Sequence, residues 1–114
     1  MATGAAVSAV LELERAVLER LRADAGVKAV LGDPPRVFDA DVERPAFPFL
    51  EIARHTVEDV GGVDAPAGRH ELDLSVVTSA GGRDEAKAAA SAVKLTIDGG
   101  GLSLDGYRCV MAIV

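Results

Sequence analysis

Apolar residues recur at helical spacing near the start of the chain: Val7, Val10, Leu11, Val17, Leu18 and Leu21 share a stripe, with Glu12, Arg15, Glu19, Arg20 and Arg22 mostly elsewhere. That spacing predicts one amphipathic helix over Ala5 to Ala25. A shorter turn, "AGVKAVL", follows and stops at Gly32, because "GDPP" makes continuation implausible. "RVFDA", Arg36 to Ala40, reads as a short strand.

The period then changes to two. "RHELDLSVVT", Arg69 to Thr78, puts Leu72, Leu74 and Val76 on one face and Glu71, Asp73 and Ser75 on the other, which suits a sheet covered on one side by helices. "FLEIARHTVED", Phe49 to Asp59, favours strand by composition. Its entrance, "RPAFPFLEI", is excluded from helix, because Pro45 and Pro48 lack donors and push Arg44 and Phe47 toward extended backbone. The P-x-x-P spacing there fits a polyproline ligand, but the strand that follows favours a strand entrance. Between the strands, "GGVDAPAG", Gly61 to Gly68, predicts a hairpin with a flexible, protruding tip.

"GGRDEAKAAASAVKLTID" predicts the second helix, with Ala86, Ala89, Ala90, Val93 and Ile97 as its apolar stripe and Gly99, Gly100 and Gly101 as its end. "LSL", a turn at "DG", and "YRCVMAIV" predict a second hairpin. The expected fold class is therefore α+β: a small mixed or antiparallel β-sheet with two helices packed on it, in the order α-β-β-β-α-β-β. With no repeat or linker, residues 1–114 read as a single domain.

Composition narrows the function. The chain has no Trp, one Tyr and three Phe, so its core is built from Leu, Val, Ile and Ala, and burial against partner subunits would help it. A net charge of −6 without a Lys/Arg cluster argues against direct nucleic-acid binding and against an anionic membrane surface. No apolar run approaches the ~20 residues of a membrane span, and the start lacks the basic region of a secretory signal, so a soluble protein made in the cytoplasm is expected. One cysteine, Cys109, excludes an intrachain disulfide.

Candidate chemistry is sparse. His55 and His70 lie on consecutive predicted strands and a register facing them across the hairpin is possible, with Cys109 on a later strand; without short ligand spacing, two sheet histidines and a small buried thiol are the simpler reading. "DADVE" spaces Asp39, Asp41 and Glu43 two apart, like the first ligands of a calcium loop, yet lacks its Gly and distal Glu, so a solvated acidic loop is expected. No G-x-S-x-G turn, P-loop or dinucleotide fingerprint occurs. No catalytic, cofactor-binding or metal residue is assigned, and no cofactor or enzyme activity is expected.

Taken in order, "VLERLRADAGVKAVLGD", "RVFDA", "RPAFPFLEI", "RHELDLSVVT", "GGRDEAKAAASAVKLTID" and "LSLDGYRCV" resemble the tail-completion or tail-terminator family of long-tailed phages, with relatives in prophages and gene transfer agents. The resemblance covers about Leu11 to Val110, and its more telling blocks are the Pro-aromatic entrance and the "GRDEA" helix start. Members often carry another strand beyond the position of Val114. The resemblance implies a virion protein of the tail and neck region, assembled in the bacterial host cytoplasm: a homo-hexameric ring that caps the tail tube protein and joins the head-neck connector or stopper protein, while DNA passes through the lumen without specific binding. The candidate partner-contact loop is the hairpin tip, Glu58, Asp59, Val60, Gly61, Gly62, Val63, Asp64, Ala65, Pro66, Ala67 and Gly68. The alternatives are a neck connector or stopper ring protein and a small dimeric ligand-binding α+β domain.

Overall fold

The computed structural model describes residues 3–39, 46–62, 67–79, 81–98 and 101–109. Its elements, in chain order, are α1 (Thr3–Ala23), α2 (Ala25–Leu31), β1 (Val37–Phe38), β2 (Phe49–Asp59), β3 (Gly68–Val77) and α3 (Arg83–Ile97). The fold is α+β; among the described residues the sheet is mixed and three-stranded, in the order β1-β2-β3. β1 runs parallel to β2, and β2 pairs antiparallel with β3.

Each helix follows from its local sequence. Along α1, Ala16, Val17, Leu18 and Leu21 are buried, whereas Arg15, Glu19 and Arg22 stay at the surface. Leu11, expected on the buried stripe, is 61% exposed, and Leu13 packs against the core instead. The "AGVKAVL" turn is a separate helix, α2, because Asp24 takes extended backbone angles and its side chain accepts from the Val27 amide, which starts a new helix. Gly32 closes α2 at φ +95°, a conformation that side chains with a Cβ rarely adopt. The first turn of α3 carries Asp84 and Glu85, whose charges favour a helix start, and its Ala89, Val93 and Ile97 are buried.

These faces meet in one core formed by Val17, Leu18, Leu21, Val27, Leu31, Val37, Leu50, Ala89, Val93, Ile97 and Leu102. Ile52, Leu72, Leu74 and Val76 border it from the sheet, as their alternation predicts. The opposite face of the sheet has no helix on it among the described residues, and ion pairs Arg54–Asp73 and Arg69–Glu58 lie there.

Of the second predicted hairpin the structure describes the first arm, the turn and the start of the second arm. Residues 101–109 contain a turn at Asp105–Gly106 and no strand. The segment is tied to α1 instead: Arg20 Nη1 donates to the Gly101 carbonyl at 2.8 Å, and the Asp105 amide donates to Glu12 Oε2 at 2.6 Å. With Leu102 buried in the core as well, this segment lies along the helix. Residues 110–114 of the expected last strand fall outside the described residues.

Beyond the core, β2 and β3 continue as a free-standing hairpin. Residues 56–62 and 67–69 are all exposed. The 11 residues of β2 extend roughly 35 Å at ~3.3 Å per residue, and the molecule measures 50 × 28 × 21 Å. Its radius of gyration, 15.1 Å, exceeds the ~13 Å of a compact chain of this length, as a projecting arm requires.

Candidate functional site

Pairing continues past the strands into the arm's tip. The amides of Val60 and Gly61 donate to the Ala67 carbonyl at 3.0 and 3.1 Å, and the Gly61 amide also lies 3.1 Å from Asp59 Oδ1. Glu58, Asp59, Val60, Gly61, Gly62, Ala67 and Gly68 of the candidate contact loop are exposed at the end of the molecule. Val63, Asp64, Ala65 and Pro66 lie outside the described residues.

At the foot of the arm the two histidines come together. In β2 the register shifts between Ile52 and Arg54, so one residue is unpaired and the strand changes phase. Before the shift, Leu50 and Ile52 lie on the helix-side face of the sheet; after it, His55 and Val57 do. The aligned pairs His55–Leu72 and Val57–His70 make His55 and His70 diagonal neighbours on that face. His55 Nε2 lies 2.8 Å from His70 Nδ1, and His55 Nδ1 lies 2.8 Å from Glu14 Oε2 on α1. The His55 side chain is 5% exposed and that of Glu14 17%. Burial, and secondarily the neighbouring His55, pushes the His70 ring below its ordinary value.

The sequence left open a register that faces the two histidines across the hairpin; the observed register makes them diagonal neighbours, and the sequence reading missed Glu14. A signal for it exists: Glu14 stands four after Val10, three before Val17 and four before Leu18, a carboxylate within a helix's apolar stripe. Cys109 is partly buried against the core. Among the described residues no three His, Cys, Asp or Glu side chains are grouped to hold a metal ion. Of the acidic triplet, Asp39 is exposed, while Asp41 and Glu43 lie outside the described residues.

The chain's three phenylalanines gather where β2 begins. Phe49 stacks on Phe47 at 5.8 Å between ring centroids and meets Phe38 at 6.2 Å. Arg36 Nε donates to the Pro48 carbonyl at 2.8 Å, which fastens the proline-rich entrance to β1. Phe47 is 53% exposed. The entrance thus leads into the strand, as its prolines predict, and leaves an aromatic patch at the opposite end of the sheet from the tip.

A helix-backed sheet with a long uncovered arm, an exposed aromatic patch and hydrogen-bonded histidines defines a small α+β protein whose distinctive surfaces suit contact with other macromolecules. The family described as "Tail completion protein gp17" matches residues 15–113, and the chain belongs to it. Family membership makes it a structural protein of the virion tail. A chain in the solved structure titled "Virion of native gene transfer agent (GTA) particle" is similar to it at 33% identity and a TM-score of 0.80, covering 90% of this chain and 75% of that one. No curated protein matches the sequence.

Proposed function

We propose that the chain is a non-enzymatic tail-terminator subunit: six copies form a ring on the head-proximal end of the tail tube, stop its growth and receive the head-neck connector. The observation that carries this reading is the similarity, over nine-tenths of the chain, to a protein of a gene transfer agent virion, within a family matched from residue 15 to 113. The molecular features support it. β3 has β2 on one side only among the described residues, and such an edge can pair with a neighbouring chain. The tip, Glu58 to Gly68, reaches far enough from the core to contact an adjacent ring or subunit.

In this mechanism the work is steric. One ring face matches the docking surface of the tube, and the other presents the connector rather than a further tube subunit. The net charge of −6 fits a lumen along which DNA slides without adhering. The test is the mass of the purified protein in solution by light scattering, with negative-stain images of the same peak. A sixfold ring is expected, alone or on tail tubes added to the sample. A compact dimer that ignores tubes would overturn the reading.

A further inference from the structure

Glu14, His55 and His70 come from three different elements and form one hydrogen-bonded line. A carboxylate oxygen accepts, so His55 Nδ1 carries a hydrogen directed at Glu14. The 2.8 Å contact between the rings then holds one hydrogen, in either of two ways. A neutral His55 accepts at Nε2 from His70 Nδ1–H, or a His55 imidazolium donates from Nε2 to a neutral His70. With both rings protonated, two N–H groups would meet head to head and two cations would sit 5.0 Å apart between centroids. That state is incompatible with the contact.

We propose that these three residues form a proton-operated latch fastening the foot of the β2–β3 arm to α1, closed with at most one imidazolium and opened when both rings are protonated. The surroundings do not offset the second charge. On the same face the flanking strand positions are Ile52, Val57, Leu72 and Leu74, all neutral. Arg54, Glu58, Arg69, Glu71 and Asp73 belong to the opposite face, where two ion pairs engage four of them. On α1, Glu12 binds Arg15 and the Asp105 amide. The charged side chains of α3 are exposed, as are Asp105 and Arg108. Glu14 is thus the one carboxylate, among the described residues, in contact with the pair.

The sign of the pH dependence follows from His70. Its folded value lies below the ordinary 6.5, so the closed arm binds fewer protons than the open one. The latch's contribution is complete above about 6.5 and is lost as pH falls below it. The latch belongs to the single chain, whether or not the tip docks on anything.

The experiment is an NMR titration of the full chain from pH 8 to 5, following both imidazole rings and the backbone amides. The His70 ring is expected to titrate below the ordinary range, with the amides of residues 56–60 and 68–71 shifting at the same midpoint and those of α3 unmoved. In His70→Gln that shared shift of the arm is lost. If His70→Gln does not fold, the wild-type titration decides alone. Two rings titrating independently at the ordinary value while the arm stays silent, or an arm responding identically in His70→Gln, would overturn the proposal.

Discussion

Thr96 donates its hydroxyl to Asp24 Oδ1 across 2.8 Å, while Asp24 Oδ2 accepts the Val27 amide at 3.0 Å. The residue that starts α2 is therefore also tied to α3. Removing the tie alone, in Thr96→Val, is expected to lower stability by about 1 kcal/mol. Asp24→Ala removes tie and cap together, for a loss of about 1–2 kcal/mol. Urea unfolding of both variants and the double variant should give less than the sum of the single losses.

The same carboxyl group predicts an acid response. The Thr96 hydroxyl first, and the Val27 amide second, hold Asp24 below its ordinary value of 3.8. A lowered carboxyl contributes stability above that value and loses it as pH falls further. Stability measured by urea titration from pH 5 to 2 should therefore fall less steeply in Asp24→Asn than in the wild type. Equal slopes would show that Asp24 carries no such linkage.

Two leucines give a contrast in burial. Leu50 is 1% exposed at the centre of the core and Leu95 is 81% exposed on α3. Leu50→Ala is expected to cost about 2–5 kcal/mol by loss of transfer energy and an unfilled cavity. Leu95→Ala is expected to stay within about 0.5 kcal/mol of the wild type. Thermal unfolding of the two variants side by side tests the assignment of the buried face of β2 and the exposed face of α3.

Gly32 offers a backbone test. Its φ of +95° is combined with the Arg36 guanidinium occupying the space a Cβ would need. Gly32→Ala is expected to lose about 1–3 kcal/mol from backbone strain. Replacing Arg36 with Ala in that background should relieve the crowding and leave the strain, so only part of the loss should be recovered.

The arm's tip separates folding from assembly. Gly62 and Ala67, the described ends of the segment 62–67, are exposed and outside the core, so deleting Gly62 to Ala67 is expected to leave the unfolding midpoint close to that of the wild type. Under the proposed function, tails assembled with the deleted chain should fail to join heads. Normal joining would remove the tip from the docking role.

How far the sequence could be read depended on whether a segment's own pattern or its neighbours decide its structure. β3 alternates without interruption, and Leu72, Leu74 and Val76 lie on the helix side as read. β2 was legible as a strand by composition, but its facing was not, because Leu50 and Ile52 are in one phase and His55 and Val57 in the other. "LSL" and "YRC" carry strand-like composition, yet Leu102 to Cys109 form no strand, and the backbone of Gly101 and Asp105, on either side of "LSL", bonds to Arg20 and Glu12 some 80 to 90 residues earlier. Glu14 stands out in the sequence as a carboxylate within the apolar stripe of α1, but its partner, 41 residues away, is not legible from that position. Such long-range hydrogen bonds leave no period in the sequence.

The one-residue shift in β2 makes the strand an odd-even converter. Even-numbered positions face the helices up to Ile52, and odd-numbered ones do so from His55 onward, while β3 keeps even positions inward along its length. Pairing Ala53 regularly with Asp73 would turn the outer half of β2 over, sending His55 to the solvent side and Arg54 toward Glu14, whereas deleting Ala53 would straighten the strand and leave His55 facing inward. Segments exchanged between relatives within this strand must therefore carry the shift with them. A graft that matched every residue type but not the parity would keep the core and invert the arm.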